Sequence, residues 1–227
     1  MFTTLMLGSG LVWSLTYLLI IWQGLRDQTY GMPLVALCAN LSWEGIFAFV
    51  HPSQSIQHTV NQVWFALDVV ILVQLVWYGR REFPDLTPAT FYAVCGLALA
   101  TSFAAVLLIS AEFNDWSGVY AAFGQNLMMS VLFITMLYRR RSLRGQSRGI
   151  ALCKLLGTGL ASLAFYRYTA ISRRSVLLPF LYLTILGYDV LYLALVALQQ
   201  RAALQARVAV APAPEEVGAP GVGRRAG

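Results

Sequence analysis

Residues 60–78 read VNQVWFALDVVILVQLVWY, an apolar run of bilayer-crossing length broken by a single charge, Asp68. A helix crossing ~30 Å of hydrocarbon needs roughly 20 mostly apolar residues. An ionisable side chain at its centre costs roughly 2.5–3.5 kcal/mol on insertion scales. Both features recur along the chain. Of its 227 residues, 58% are hydrophobic and 11% charged, whereas soluble domains carry about a quarter charged residues. The mean hydropathy is +0.64. This composition excludes a soluble globular domain and leaves one membrane domain.

Seven spans are predicted, at Leu5–Gln23, Pro33–Val50, Val60–Tyr78, Pro88–Ser110, Trp116–Tyr138, Gly149–Tyr166 and Val176–Leu198. Pro33, Pro88 and Pro179 fall in first turns, where a missing N–H is tolerated. Most tryptophans and tyrosines fall near span ends, as interface anchors do. No proline interrupts a span centre, unlike the broken helices of many transporters. The first stretch lacks a basic leader region and a small-residue cleavage site, so it reads as a retained helix rather than a signal peptide. The expected fold is an all-α bundle of seven transmembrane helices over 1–201. An Ala/Pro/Gly-rich tail over 202–227 is expected to be disordered.

Basic residues set the orientation. Arg26, Arg80, Arg81, Arg139, Arg140, Arg141, Arg144 and Arg148 flank the loops after the first, third and fifth spans, and the tail adds more. The opposite face has Arg167, Arg173 and Arg174. The positive-inside rule then puts the N-terminus outside and the C-terminus in the cytoplasm. The net charge of +6 is accounted for by this topology, so no nucleic-acid partner is expected, and no obligate protein partner. The expected setting is an integral, multi-pass protein of a bacterial cytoplasmic membrane, the bacterial part resting on the Arg- and Ala-rich tail. Cys38, Cys95 and Cys153 are odd in number and form no CxxC or Cys/His cluster, so neither a disulfide framework nor a metal site is expected.

Three acids lie within spans: Glu44, Asp68 and Asp189. Counting from the cytoplasmic ends at 1.5 Å per residue puts all three roughly 14–17 Å deep, in one layer. Their helical neighbours repeat a theme. Asn40, Glu44 and Phe47 share a face, as do Asn61, Trp64 and Asp68, then Phe123, Asn126 and Ser130, then Tyr182, Asp189 and Tyr192. Charged groups in membrane helices face the bundle interior, so these faces imply a cavity lined by acids, amides and aromatic rings. Trp43 and Tyr188 adjoin the acids. A buried acid can also serve merely as polar glue between helices, worth ~0.6 kcal/mol on average. For Asp68 the two roles stand even.

Several chemistries fail on missing residues. A retinal-type photoreceptor needs a Schiff-base lysine in the last helix, but the one lysine, Lys154, begins the sixth. Neither a DDxxD cluster for metal-assisted prenyl chemistry nor a zinc-ligand set is present. No Ser-His-Asp set or Gly-rich phosphate loop is evident. No metal and no cofactor is expected. What remains is metal-free acid chemistry on a lipophilic substrate: an acid to start, π-faces for carbocations, and a base to finish. Cation–π contacts are worth roughly 0.5–2 kcal/mol each. Burial favours a protonated carboxyl but makes it a reluctant donor. Amides such as Asn40, or a second acid, must therefore stabilise the conjugate base.

The segments Asn40-Leu41-Ser42-Trp43-Glu44, Trp64-Phe65-Ala66-Leu67-Asp68-Val69-Val70, Gly124-Gln125-Asn126-Leu127-Met128-Met129-Ser130 and Tyr188-Asp189-Val190-Leu191-Tyr192 together resemble the small integral-membrane terpene cyclases of meroterpenoid biosynthesis. These occur in fungal pyripyropene- and paspaline-type pathways and bacterial drimentine-type indole pathways. The resemblance runs from about Asn40 to Leu198, in the same order on the same seven-helix plan. It implies that Glu44 and Asp189 are catalytic, one of them protonating a terminal epoxide or alkene, and it leaves acid and base unassigned between them. They are expected to act as an acid pair assisted by Asn40. Asp68, Asn126, Trp43, Phe47, Trp64, Phe123, Tyr182, Tyr188 and Tyr192 complete the expected cavity. The implied substrate is a lipophilic prenylated aromatic or indole, cyclised to a drimane-like bicycle. The tail tilts this expectation toward the farnesylated-indole branch.

Two other functions share the buried acids. A small-solute or proton-coupled transporter would show substrate flux in proteoliposomes, and a noncatalytic subunit would co-purify with a partner at fixed stoichiometry.

Overall fold

The computed structural model describes residues 1–52 and 56–210, with side chains described to Gln205. Eight α-helices follow one another: α1 Phe2–Asp27, α2 Leu34–Gly45, α3 Ile56–Tyr78, α4 Pro88–Glu112, α5 Val119–Arg140, α6 Arg148–Tyr168, a one-turn α7 Ala170–Arg173, and α8 Leu177–Val210. A π-helical turn, Ile46–Val50, continues α2, and a 3-10 turn, Gly79–Glu82, continues α3. No strand occurs among the described residues.

Each of the seven predicted spans coincides with a helix, but the set is not uniform. Six helices are long and apolar enough to cross a membrane: α1, α3 with its 3-10 turn, α4, α5, α6 and α8 through Gln205. The second, Leu34–Val50, falls short. Its 17 residues at most span about 26 Å, less than the ~30 Å hydrocarbon core. The expectation of seven full spans is corrected to six long helices and one short one. Within the short one, directly after Glu44 and Gly45, the chain leaves α-geometry for the π turn, the kind of helix irregularity that clusters at functional sites. α8 also runs well past Leu198, so 202–210 of the tail is helical. The expected disorder of 211–227 lies outside the described residues.

Caps explain several helix starts. Thr87 Oγ1 accepts from Thr90 N–H at 3.2 Å ahead of Pro88, and Ser147 Oγ accepts from Ile150 N–H at 3.3 Å. α1 packs most extensively on α6, α2 on α4, and α8 on α5 and α6. The α1–α6 contact is close because Gly157 presents no side chain. A Cβ there would meet Trp13 at 2.7 Å, and Ser9 Oγ donates to Gly157 O at 2.7 Å.

Packing differs between the two ends. The largest buried cluster, with Ile20, Met32, Leu37, Leu75, Phe133, Ile150 and Val196, fills the end away from the N-terminus. That end is also tied by polar contacts. Arg140 Nε meets Glu82 Oε2 at 2.8 Å, and Arg140 also donates to Thr29 Oγ1 and Tyr30 O. The N-terminal end is held by two smaller clusters, around Phe123 and Ile185 and around Ile46 and Val106.

Candidate active site

Two polar clusters sit inside the bundle. In the first, Tyr17 on α1 donates its hydroxyl proton to Glu44 Oε1 on α2. Asn40, one turn before Glu44, directs its amide nitrogen at Tyr17 Oη, at Glu44 Oε1 (3.2 Å) and at Asp68 Oδ2 on α3 (3.0 Å). Two N–H groups thus serve three acceptors. Gln125 on α5 donates to Asn40 Oδ1 at 3.2 Å. Glu44 and Asp68 are 1% and 0% exposed, which means both carboxyls are cut off from water. Glu44 Oε2 and Asp68 Oδ1 have no hydrogen-bond partner. Among the described residues no cation contacts either carboxyl.

The second cluster joins α5, α6 and α8. Lys154 Nζ donates to Asp189 Oδ1 at 2.6 Å, to Ser130 Oγ at 2.6 Å and to Asn126 Oδ1 at 3.2 Å. Both members of the ion pair are 1% exposed. Asn126 also donates to Thr158 Oγ1 at 3.2 Å, while Asp189 Oδ2 is unpartnered. The adjacent residues Gln125 and Asn126 face the two clusters, one each.

The first cluster borders a chamber of about 170 Å³ whose walls include Trp13, Tyr17, Trp43, Trp64, Phe123 and Phe165. Asn40, Glu44, Gln125, Asn126 and Thr158 supply its polar wall. Its rings are packed on one another: Tyr17 lies 5.9 Å from Trp64, and Phe123 5.7 Å from Phe165. Trp43 is fixed by donating Nε1–H to Gly118 O at 2.9 Å, and Trp64 by donating to Ser14 Oγ at 3.0 Å. A second cavity, about 410 Å³ between α6 and α8, is bordered by Asp189, Tyr182 and, again, Thr158. A third, about 580 Å³, lies between α1 and α3.

Most of the predicted site residues meet here, with exceptions that geometry explains. Glu44, Asn40, Asn126, Trp43, Trp64 and Phe123 border the inner chamber, and Phe47 borders the third cavity beside it. Asp68 stands behind Asn40. The structure hydrogen-bonds Glu44 to Asp68 through Asn40, whereas Asp189, its expected partner, is engaged by Lys154. Tyr182 borders the second cavity and shares its hydroxyl with Ser172 at 2.6 Å. Tyr192 is buried in the core and donates to Gln146 Oε1 at 2.9 Å. Tyr188, 37% exposed, is turned out of the bundle, one residue and about 100° round from Asp189. Tyr17, Lys154 and Gln125 are the site residues that sequence reasoning missed. Trp13 and Tyr17, one turn apart, were the available signal for the first. Among the described residues no three His, Cys, Asp or Glu side chains converge to hold an ion.

Fold and site together define a multi-pass membrane protein with buried carboxyls, one of which, Glu44, lines an aromatic chamber. A family model, the Pyr4-like transmembrane terpene cyclases, matches residues 1–201. The chain is 32% identical over 171 residues to the Pyr4-family terpene cyclase mfmH of Annulohypoxylon moriforme, covering 72% of this chain and 70% of the relative. It is 28% identical over 159 residues to the asnovolin H synthase nvfL of Aspergillus novofumigatus, covering 68% and 65%. To the terpene cyclase pyr4 of Aspergillus fumigatus it is 29% identical over 164 residues, covering 67% and 65%. The matches thus span about two thirds of these relatives' length. No solved structure matches. The chain belongs to the Pyr4-like transmembrane terpene cyclases and is a membrane-bound terpene cyclase by family. These relatives are fungal, so the matches give no support to a bacterial membrane.

Proposed function

We propose that the protein cyclises a farnesyl chain carried on an indole-like aromatic acceptor, without a metal ion, by proton transfer from Glu44. The carrying observation is the set of partners around that carboxyl. Oε1 accepts hydrogen bonds from Tyr17 and Asn40, and Glu44 lines the aromatic chamber. Glu44 delivers the proton, and the donors on Oε1 stabilise the carboxylate left behind. Asp68, bridged through Asn40, places a second carboxyl in the cluster.

The proton adds to the terminal alkene of the chain, whose π electrons form the new C–H bond. Successive alkenes then close the rings, each π pair becoming a C–C bond. The rings of Trp13, Tyr17, Trp43 and Trp64 face the cations so formed, a stabilisation of roughly 0.5–2 kcal/mol per good contact. Asp189, which accepts from Lys154 and lines the cavity that shares Thr158 with the chamber, takes the last proton. The product is an isomer of the substrate, and the cycle closes when Asp189 gives up its proton and Glu44 regains one. The arginine distribution supports a bundle with its N-terminus outside and its C-terminus in the cytoplasm.

Membranes containing the protein, incubated with farnesylated indole with and without EDTA, test this reading. The expected product has unchanged mass, a different retention time and no sensitivity to chelator. Recovery of substrate alone, or activity lost to EDTA, contradicts it.

A further inference from the structure

The inner chamber is too small for the substrate proposed above. At about 170 Å³ it lies below the ~300–1,000 Å³ typical of small-molecule sites. The 580 Å³ cavity between α1 and α3 adjoins it. Met6, Gly10, Gln57, Trp64 and Phe165 border both. The outer cavity's rim is formed by Leu7, Leu11, Ile56 and Val63, which are 44%, 73%, 64% and 50% exposed. These are apolar side chains within two membrane-spanning helices, so the surface they expose faces lipid rather than water.

We infer that the α1–α3 gap is a substrate-binding groove opening sideways into the bilayer. It admits the prenyl chain distal end first and retains the aromatic head. The inference rests on the cyclase reading. Its direction follows from the position of the acid: Glu44 borders the inner chamber and not the outer cavity, and ring closure starts where the proton arrives, so the far end of the chain goes in first. The head then trails into the groove between Trp116 and Ser14, with the bilayer supplying the substrate already partitioned into lipid. Gly10 sits at the junction. A Cβ there meets nothing within 4 Å, so the opening is kept clear by the missing side chain and not filled by a neighbour.

Gly10→Trp adds bulk at the junction from a position where a Cβ meets no neighbour. Its expected effect is a tenfold or greater rise in apparent KM for farnesylated indole, with a smaller change in kcat. Gly96→Trp on α4, where a Cβ also meets nothing within 4 Å, controls for added bulk and keeps wild-type kinetics. A photoaffinity analogue with a diazirine on its aromatic head gives a readout independent of turnover, and its expected labels fall on α1 and α3 peptides. Unchanged kinetics in Gly10→Trp, or labels on α6 and α8 with a KM shift in Gly159→Trp, overturns the groove and marks it as a lipid-filled crease. A wild-type protein that labels on α1 and α3 but forms no cyclised isomer overturns the cyclase reading instead.

Discussion

Lys154 donates to Asp189 at 2.6 Å across the α6–α8 interface, with both side chains 1% exposed. A buried pair of this kind gains little over apolar packing, but breaking one side leaves a charge stranded in low dielectric. The arrangement separates the two carboxyl sites by charge: Asp189 has a cation, and Glu44 with Asp68 has neutral donors only.

Replacing Lys154 by Met should therefore destabilise the protein by about 3–5 kcal/mol, and the double variant Lys154→Met/Asp189→Leu should recover most of that loss. Thermal unfolding in detergent measures both. Recovered stability without recovered turnover would mark the pair as serving the reaction and not the fold.

Tyr17→Phe removes the hydroxyl that donates to Glu44 but keeps the ring facing the chamber. A hydrogen bond to a charged group contributes roughly 1.5–3 kcal/mol, so kcat should fall about 10–100-fold with KM little changed. Steady-state kinetics on farnesylated indole checks the split. An equal rise in KM would mean that Tyr17 binds substrate and does not tune the acid.

Two glycines should respond oppositely to alanine. Gly118 has φ +69°, and a Cβ there would sit 2.3 Å from Phe47. Gly118→Ala thus meets both backbone strain and a clash beside the π turn, and a lower melting temperature and poor extraction are expected. Gly124, inside α5, has nothing within 4 Å of a Cβ, so Gly124→Ala should stabilise the helix by roughly 0.5–1 kcal/mol.

Asp68→Asn keeps an acceptor for Asn40 but removes the second acid. Turnover should fall by about one to two orders of magnitude and persist, given the 10²–10⁴-fold typical of acid–base assistance. Glu44→Gln should abolish it. Equal loss in both would make the two carboxyls one indivisible donor.

The membrane fold was legible because apolar length and proline placement act within one helix. The Glu44–Asn40 register was legible for the same reason, a one-turn spacing on α2. Counting residues from the span ends put Glu44, Asp68 and Asp189 at one depth, but depth alone did not say which acids meet. The expected partner of Glu44 was Asp189 and not Asp68. What spacing could not show was which helices abut. Lys154 meets Asp189 only because α6 packs on α8, and Tyr17 meets Glu44 only through the interior that α1 closes. The bounds of the second span were legible to one residue, but its π turn escaped, since Ile46–Val50 has no composition signature of one. Tyr188 was misplaced by nearness in sequence to Asp189, where helical geometry points the two apart.

The most direct test of proton-initiated cyclisation is to run the reaction in D2O and analyse the product by mass spectrometry and NMR. Protonation of the chain's terminal alkene predicts one non-exchangeable deuterium on the first-attacked end of the cyclised chain, and no such product from Glu44→Gln. A cyclised product without carbon-bound deuterium, or full labelling by Glu44→Gln, would contradict the account.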